Sequence, residues 1–231
     1  MKNDMKTLKS FLLVLGCVLC TLLFQSCLDD DDYSLDKYML DIVSVKSDGG
    51  AQYFRADDGT TLWPAAGYLP DRALADGQRV FLNFTLLGDS TKGAVGFDYY
   101  IRVNNIDTVF TKPLADDLGI RNDSVYGVDP VNVKRMYTGN GHLTLLFGAN
   151  FGGTQKHFIN LVKMDDPQRP YLLEFRHHAQ GDPAVTQLDK WICFNLERLE
   201  IPDQKPVVLT VRVKTFSGTQ EYELEYDPTN K

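Results

Sequence analysis

The sequence predicts an all-β protein in two parts, a five-stranded barrel followed by a seven-stranded antiparallel β-sandwich. Three observations lead there. Period-two alternation of apolar residues recurs along the chain, and no stretch of about 11 residues keeps apolar positions at i, i+3, i+4 and i+7. The alternation lapses between Pro113 and Pro130, where Asp116, Asp117, Asp123 and Asp129 cluster with Gly119 and Gly127, as expected of a seam between two cores. The 231 residues are 43% hydrophobic and 24% charged, with 18 Gly and 10 Pro, which is the composition of a folded chain and excludes disorder. The length leaves room for one large domain or two small ones and excludes a large multidomain enzyme.

The chain opens with Lys2, Lys6 and Lys9, followed by an uncharged run from Phe11 to Phe24, the n-region and h-region of a secretory signal. That run is too short for a membrane span, which needs about 20 apolar residues. Residues 1–26 therefore read as a cleaved signal peptide. Ser26-Cys27 after the apolar run resembles the lipobox of bacterial lipoproteins, in which the cysteine is acylated and becomes residue one. Val14-Leu15-Gly16-Cys17 is a closer lipobox by local sequence. Cleavage there would leave a mature chain beginning with uncovered Val18 to Phe24, so Cys27 is the expected lipid attachment. Two or three acyl chains anchor a protein stably where one does not. Residues 27–36 then form an acidic tether, in which Asp29, Asp30, Asp31 and Asp32 are a solvated spacer. The same run resembles the export signal that sends lipoproteins of the Bacteroidetes to the outer leaflet. The expected location is the outer membrane with the domain displayed at the cell surface, the periplasmic face being the alternative.

The barrel is expected over residues 37–112, with strands at 38–46, 51–56, 79–87, 95–104 and 107–112. Val80, Leu82, Phe84 and Leu86 alternate with Phe81, Asn83 and Thr85, and Val95, Phe97, Tyr99, Ile101 and Val103 with Gly96, Asp98, Tyr100 and Arg102. Phe97 and Tyr99 therefore read as barrel packing. Asp57-Asp58-Gly59 reads as a turn, Leu62-Trp63-Pro64 as the start of a long irregular segment to about Gln78, and Asn104-Asn105 as the turn into strand 107–112. Residues 113–129 read as a linker. Seven further strands, near 131–137, 142–148, 157–163, 171–177, 191–196, 207–214 and 220–226, make the sandwich of residues 130–231.

Charge and chemistry narrow the function classes. Removing residues 1–26 takes away three Lys and one Asp, leaving 21 basic against 30 acidic residues and a net charge of −9, so nucleic acid is not an expected partner. Beyond the acylated Cys27 only Cys193 remains, flanked by Ile192 and Phe194, which excludes an intramolecular disulfide and reads as a buried strand position. There is no Gly-x-Ser-x-Gly, and the pairs Asp116/Asp117 and Asp165/Asp166 read as turn formers. No catalytic residue and no cofactor are expected. Adjacent His177 and His178 point to opposite faces of a strand, so they do not share a metal, and no metal is expected. His157 and His177 are expected on neighbouring strands, in a polar network with Glu174 or Asp182. Trp63 and Pro64 on their loop, with Tyr100, are the candidate contact surface for a protein or glycan, and the chain is expected to act as a monomer.

The order of these parts resembles the NigD-like lipoproteins of the Bacteroidetes. The resemblance is carried by Cys27, by Asp57-Asp58-Gly59 with Leu62-Trp63-Pro64, by Gly77-Gln78-Arg79-Val80, by Lys156 to Val162, by Leu173 to His178 and by Trp191 to Leu196. It implies an N-terminal OB-type barrel and a C-terminal β-sandwich. It also implies a bacteriocin-immunity association, with no assigned biochemical activity. A non-enzymatic interaction module on the outer membrane is the expected function; a carbohydrate-binding accessory of a polysaccharide-uptake system, or a structural envelope protein, is the alternative.

Overall fold

The computed structural model describes residues 34–70, 74–89 and 96–230. The expected lipid attachment at Cys27 and the acidic run Asp29 to Asp32 lie outside the described residues.

The N-terminal part is a closed barrel of β1 (Met39–Asp48), β2 (Ala51–Arg55), β3 (Thr61–Gly67), β4 (Arg79–Asp89) and β5 (Tyr99–Thr108), in the spatial order β1-β2-β3-β5-β4. The β3–β5 pair is parallel and the other ladders antiparallel. Val43, Val45, Phe54, Leu62, Val80, Leu82, Phe84, Ile101 and Val103 fill its core.

Five strands close the barrel, but two differ from the sequence reading. Thr61–Gly67 is a strand rather than the start of an irregular segment. Beyond Leu62 the strand is laddered on one side only, to β5, and its register slips between Pro64 and Ala66. A proline without an N–H is tolerated at such a place. Asn104-Asn105 is not a turn, because β5 runs straight through to Thr108. The register shift between Asn83 and Phe84 leaves Asn104 as the extra residue of a bulge, its amide donating to Asn83 Oδ1 (3.0 Å) and Thr85 Oγ1 (3.1 Å).

The segment 113–129, read as a linker, belongs to the sandwich. β6 (Thr111–Pro113) pairs in parallel with β12 (Thr186–Asn195), and β7 (Ala115–Asp116) pairs in parallel with β10 (Phe158–Lys163). The chain thus crosses from one sheet to the other within a few residues, and Leu114 drops into the core between them. Apolar alternation cannot survive so short a crossing, which is why the pattern lapses there. A single helical turn, α1 (Asn122–Tyr126), follows.

These two short strands add to seven long ones: β8 (Asn132–Gly139), β9 (His142–Phe151), β10, β11 (Leu172–His178), β12, β13 (Val207–Thr215) and β14 (Gly218–Tyr226). The sheets have the orders β14-β13-β11-β10-β7 and β6-β12-β9-β8. Leu143, Leu145, Phe147, Phe175, Ile192, Phe194, Val211 and Val213 fill the space between them. β9 and β12 are buried on both faces at one end, for there the opposite face of their sheet meets the barrel. Cys193 and Trp191 pack on Ile42, Phe81 and Val109.

A polar network runs through that seam. The Arg79 guanidinium is fully buried and grips the Asp57 carboxylate with both terminal nitrogens, at 2.7 and 2.5 Å. It also donates to Ser44 Oγ at 3.0 Å, and it lies 3.4 Å from Thr144 Oγ1 of the sandwich. Burial alone would depress the guanidinium, but the bonds to Asp57 outweigh it and hold the group above its usual range. From the β8–β9 turn, the Asn140 amide donates to the carbonyls of Arg55 and Ala56 at 3.0 Å each. Gly139 lies so close that an added Cβ would run into the Asp57 side chain.

Removing one partner of such a pair strands a charge in low dielectric. Asp57→Ala is expected to lower the unfolding free energy by about 3 kcal/mol, measured by urea titration. The apolar double replacement Asp57→Leu with Arg79→Met should recover most of that loss. A single substitution that leaves the midpoint unmoved would show that the pair does not hold the seam.

Candidate functional site: an aromatic platform on the barrel wall

Pairing places Trp63 of β3 beside Tyr100 of β5. Leu62 and Ile101 occupy the core, so by strand alternation Trp63 and Tyr100 share the outer face. Trp63 and Pro64 are therefore on a strand, not on a loop. Two aromatics that the sequence reading did not assign to a surface complete the group. Phe97, read as barrel packing, lies just before β5, with its ring centroid 4.7 Å from that of Trp63 and 4.9 Å from that of Tyr53 on β2. Tyr99 does pack against the barrel core. Tyr53 follows the same alternation as Trp63, since its neighbour Phe54 points inward.

The platform is fixed by a local clasp. Thr61 donates its N–H and its hydroxyl to Asp98 Oδ2, each at 2.8 Å, and the Asp98 N–H returns to Thr61 Oγ1 at 3.0 Å. These bonds lower the Asp98 carboxyl pKa, so the clasp is set at neutral pH. Three half-buried rings, held in contact and edged by Asp98 and Thr61, form a rigid surface that loses little entropy on binding. In five-stranded OB barrels the strand 2–3 face is the ligand-binding face, and Tyr53 and Trp63 lie on those two strands.

Two other clusters carry polar chemistry. At the seam, Cys193 Sγ lies 3.3 Å from Thr144 Oγ1, and burial pushes its thiol pKa up, the opposite of an activated nucleophile. Burial, then the charge of Arg79, lowers the pKa of His142, whose Nδ1 lies 2.8 Å from the Asn140 carbonyl.

In the sandwich, the network read from the sequence is present, with Asp182 rather than Glu174 as its acid. His157 Nδ1 lies 2.8 Å from His177 Nε2, and His157 Nε2 lies 3.1 Å from Asp182 Oδ2. Asp182 also accepts the N–H groups of Gly152, Gly153, Thr154 and Gln155 and the Thr154 hydroxyl, and the Phe151 ring stacks on His157 at 4.2 Å. A carboxylate so surrounded is held far below its usual range, the Thr154 hydroxyl first among the causes. It can only accept, so His157 donates from Nε2. With neutral imidazoles His177 Nε2–H then donates to His157 Nδ1, which leaves His177 Nδ1 buried without a hydrogen-bond partner. His178 is half-exposed on the opposite face. Among the described residues no group of three or more His, Cys, Asp or Glu is arranged to hold a metal ion. This cluster staples the 152–155 loop to β11.

Burial, then the neighbouring His157, lowers the His177 pKa from 6.5 to about 4. The unfolded chain therefore binds more protons between those values, and stability present above pH 6.5 is lost as the pH falls toward 4. Asp182, also depressed, extends the loss in the same direction below the usual carboxylate range. Urea midpoints should fall across that window in the wild type and fall less in His177→Gln. An equal fall in both would assign the acid sensitivity elsewhere.

Comparison with known proteins agrees with the geometry. Residues 42–109 match the NigD-like N-terminal OB domain and residues 113–226 the NigD-like C-terminal β-sandwich domain. A crystal structure from Parabacteroides distasonis, described as toxin-related, is 38% identical with a TM-score of 0.75, covering 84% of this chain and 96% of its own. A NigD-like immunity protein from Bacteroides caccae (17% identity, TM-score 0.61, 84% and 100% covered) shares the fold. So does a protein from Bacteroides fragilis described as a lipoprotein (15%, 0.56, 82% and 98%). No curated protein matches. With both domain models matched in order and a relative at 38% identity along nearly its whole length, the chain belongs to the NigD-like family.

Proposed function

We propose that this protein is a non-enzymatic, lipid-anchored interaction module of the outer membrane. It is displayed outward and binds a protein partner through the Tyr53–Phe97–Trp63 platform and Tyr100. The observation that carries the reading is the platform itself, three rings in tilted contact held at the surface by the Thr61–Asp98 clasp. The toxin-related description of the 38% identical relative supports an immunity-type role, in which a toxin is the partner. The anchor rests on Cys27 after its apolar run, and outward display on Asp29 to Asp32. The pKa of the Cys193 thiol is raised rather than lowered, which speaks against nucleophilic catalysis there.

A glycan is the second reading, because the strand 2–3 face of OB barrels also takes oligosaccharides and aromatic planes stack on sugar rings. The acidic net charge weighs against the oligonucleotides that such a face can also bind.

Trp63→Ala removes the ring contact with Phe97 at a half-exposed site and should reduce stability by only about 1–2 kcal/mol. Trp63→Ala combined with Phe97→Ala should abolish protection of sensitive cells challenged with bacteriocin preparations from co-resident strains. Protection that survives both substitutions would move the contact surface elsewhere. Absent protection together with retention on immobilised polysaccharide would favour the glycan. Protease treatment of intact cells should remove the domain, and removal only after the outer membrane is permeabilised would overturn outward display.

A further inference from the structure

Among the described residues, six exposed large hydrophobic side chains of the barrel half gather about the start of β1 and the end of β3, Leu35, Tyr38, Met39, Leu40, Tyr68 and Leu69, whereas Phe110, 63% exposed, stands apart beyond the end of β5. Leu40 is 68% exposed and Tyr38 66%. The ladders join the start of β1 to the end of β3 across the middle of β4 and β5. Met39 pairs with Phe84, Phe84 with Val103, and Val103 with Gly67, whose successor Tyr68 donates its N–H to the Val103 carbonyl at 3.0 Å. The start of the chain is tied to the same place, the Arg102 guanidinium donating to the Leu35 carbonyl at 3.1 Å. Apolar clusters of this kind on an otherwise polar wall mark a contact surface.

The position of the rim selects its occupant. Leu35 lies eight residues after Cys27, so the rim stands at most about 28 Å from an acylated cysteine at full extension, and about 15 Å at the root-mean-square reach of a flexible chain. Tyrosine and leucine together suit the boundary between lipid headgroups and acyl chains, where a ring is half wet and half apolar. The net charge of −9 after residue 26 opposes electrostatic attraction to anionic lipid, so contact there is apolar. We propose that the rim of Leu35, Tyr38, Met39, Leu40, Tyr68 and Leu69 rests on the bilayer that holds the anchor. It would orient the barrel with this end down and the aromatic platform on its side wall. This inference rests on the anchored reading above.

The test uses the full chain purified from membranes and reconstituted in vesicles of phosphatidylcholine and phosphatidylethanolamine. An environment-sensitive fluorophore is attached at Leu40→Cys, Leu69→Cys or, as a control on the sandwich, Phe216→Cys; Cys193 is buried and stays unlabelled. Vesicles should blue-shift the labels at 40 and 69, brominated lipid should quench them, and the label at 216 should remain unchanged by either. Mass analysis of the N-terminal peptide reads acylation separately. An acylated chain whose rim labels behave like the control overturns the seat alone. A chain without acyl groups overturns the anchor and the seat with it. Rim labels shielded equally without vesicles show the rim covered by a second copy, which also overturns it.

Discussion

The buried pair of Arg79 and Asp57 is the constraint on which the rest of the structure depends. A guanidinium cannot be left in low dielectric without partners, so the surrounding segments have to arrive in one arrangement. The β1 hydroxyl of Ser44, the turn at Asp57, the start of β4 and Thr144 of β9 all converge on it. Asn140 and Gly139 then fix how the β8–β9 turn sits against the end of β2. The apolar contacts of Ile42, Phe81, Val109, Trp191 and Cys193 contribute burial, but apolar contact is non-directional. The ion pair, reached from the sandwich by Thr144 and Asn140, supplies the direction, and barrel and sandwich lie in a single compact unit.

That docking divides the barrel. β1 and β4 give their outer faces to the sandwich. In the closed order β1-β2-β3-β5-β4, the wall opposite them is β2, β3 and β5, which is where Tyr53, Trp63 and Tyr100 stand. The end at Met39 and Gly67 carries the apolar rim. One small barrel thus presents three chemically different surfaces, and the strand order sets their relation. The sandwich, with the larger core, holds its distal loop closed through Asp182 and the histidine pair.

Much of the fold was legible because its signal is local. Alternation in Val80, Leu82 and Phe84 gave the inward face of β4, and Ile192-Cys193-Phe194 gave a strand buried on both sides. His157 and His177 could be anticipated because they lie at the adjoining ends of two neighbouring strands, whereas the choice of Asp182 over Glu174 depends on the loop after β11. What was hidden depends on geometry that the sequence does not encode locally. Pro64 looks like a strand breaker until the one-sided ladder of β3 is known, and Asn104-Asn105 looks like a turn when it is a bulge. Phe97 continues the alternation of β5 but precedes the strand, so the period does not apply to it. Asp57 and Arg79 each have a sufficient local reading, as turn residue and strand start, and only the closed barrel, which brings the β2–β3 turn beside the start of β4, makes them partners.

The C-terminus has a bearing on how the chain reaches this state. Asn230 donates to the Asp57 carbonyl at 3.3 Å across a sequence separation of 173 residues, and its side-chain oxygen accepts from Arg55 at 2.9 Å. β6 likewise waits for β12 before it has a partner. The barrel ladders are local by comparison, so the barrel has the lower contact order and can form while later residues are still arriving. The sandwich cannot close before β12 to β14 are present, and Asn230 adds its bonds to the turn at Asp57 after them. Contact order therefore favours assembly from the N-terminal end, in which a chain without β13 and β14 would hold a formed barrel with its docking wall uncovered.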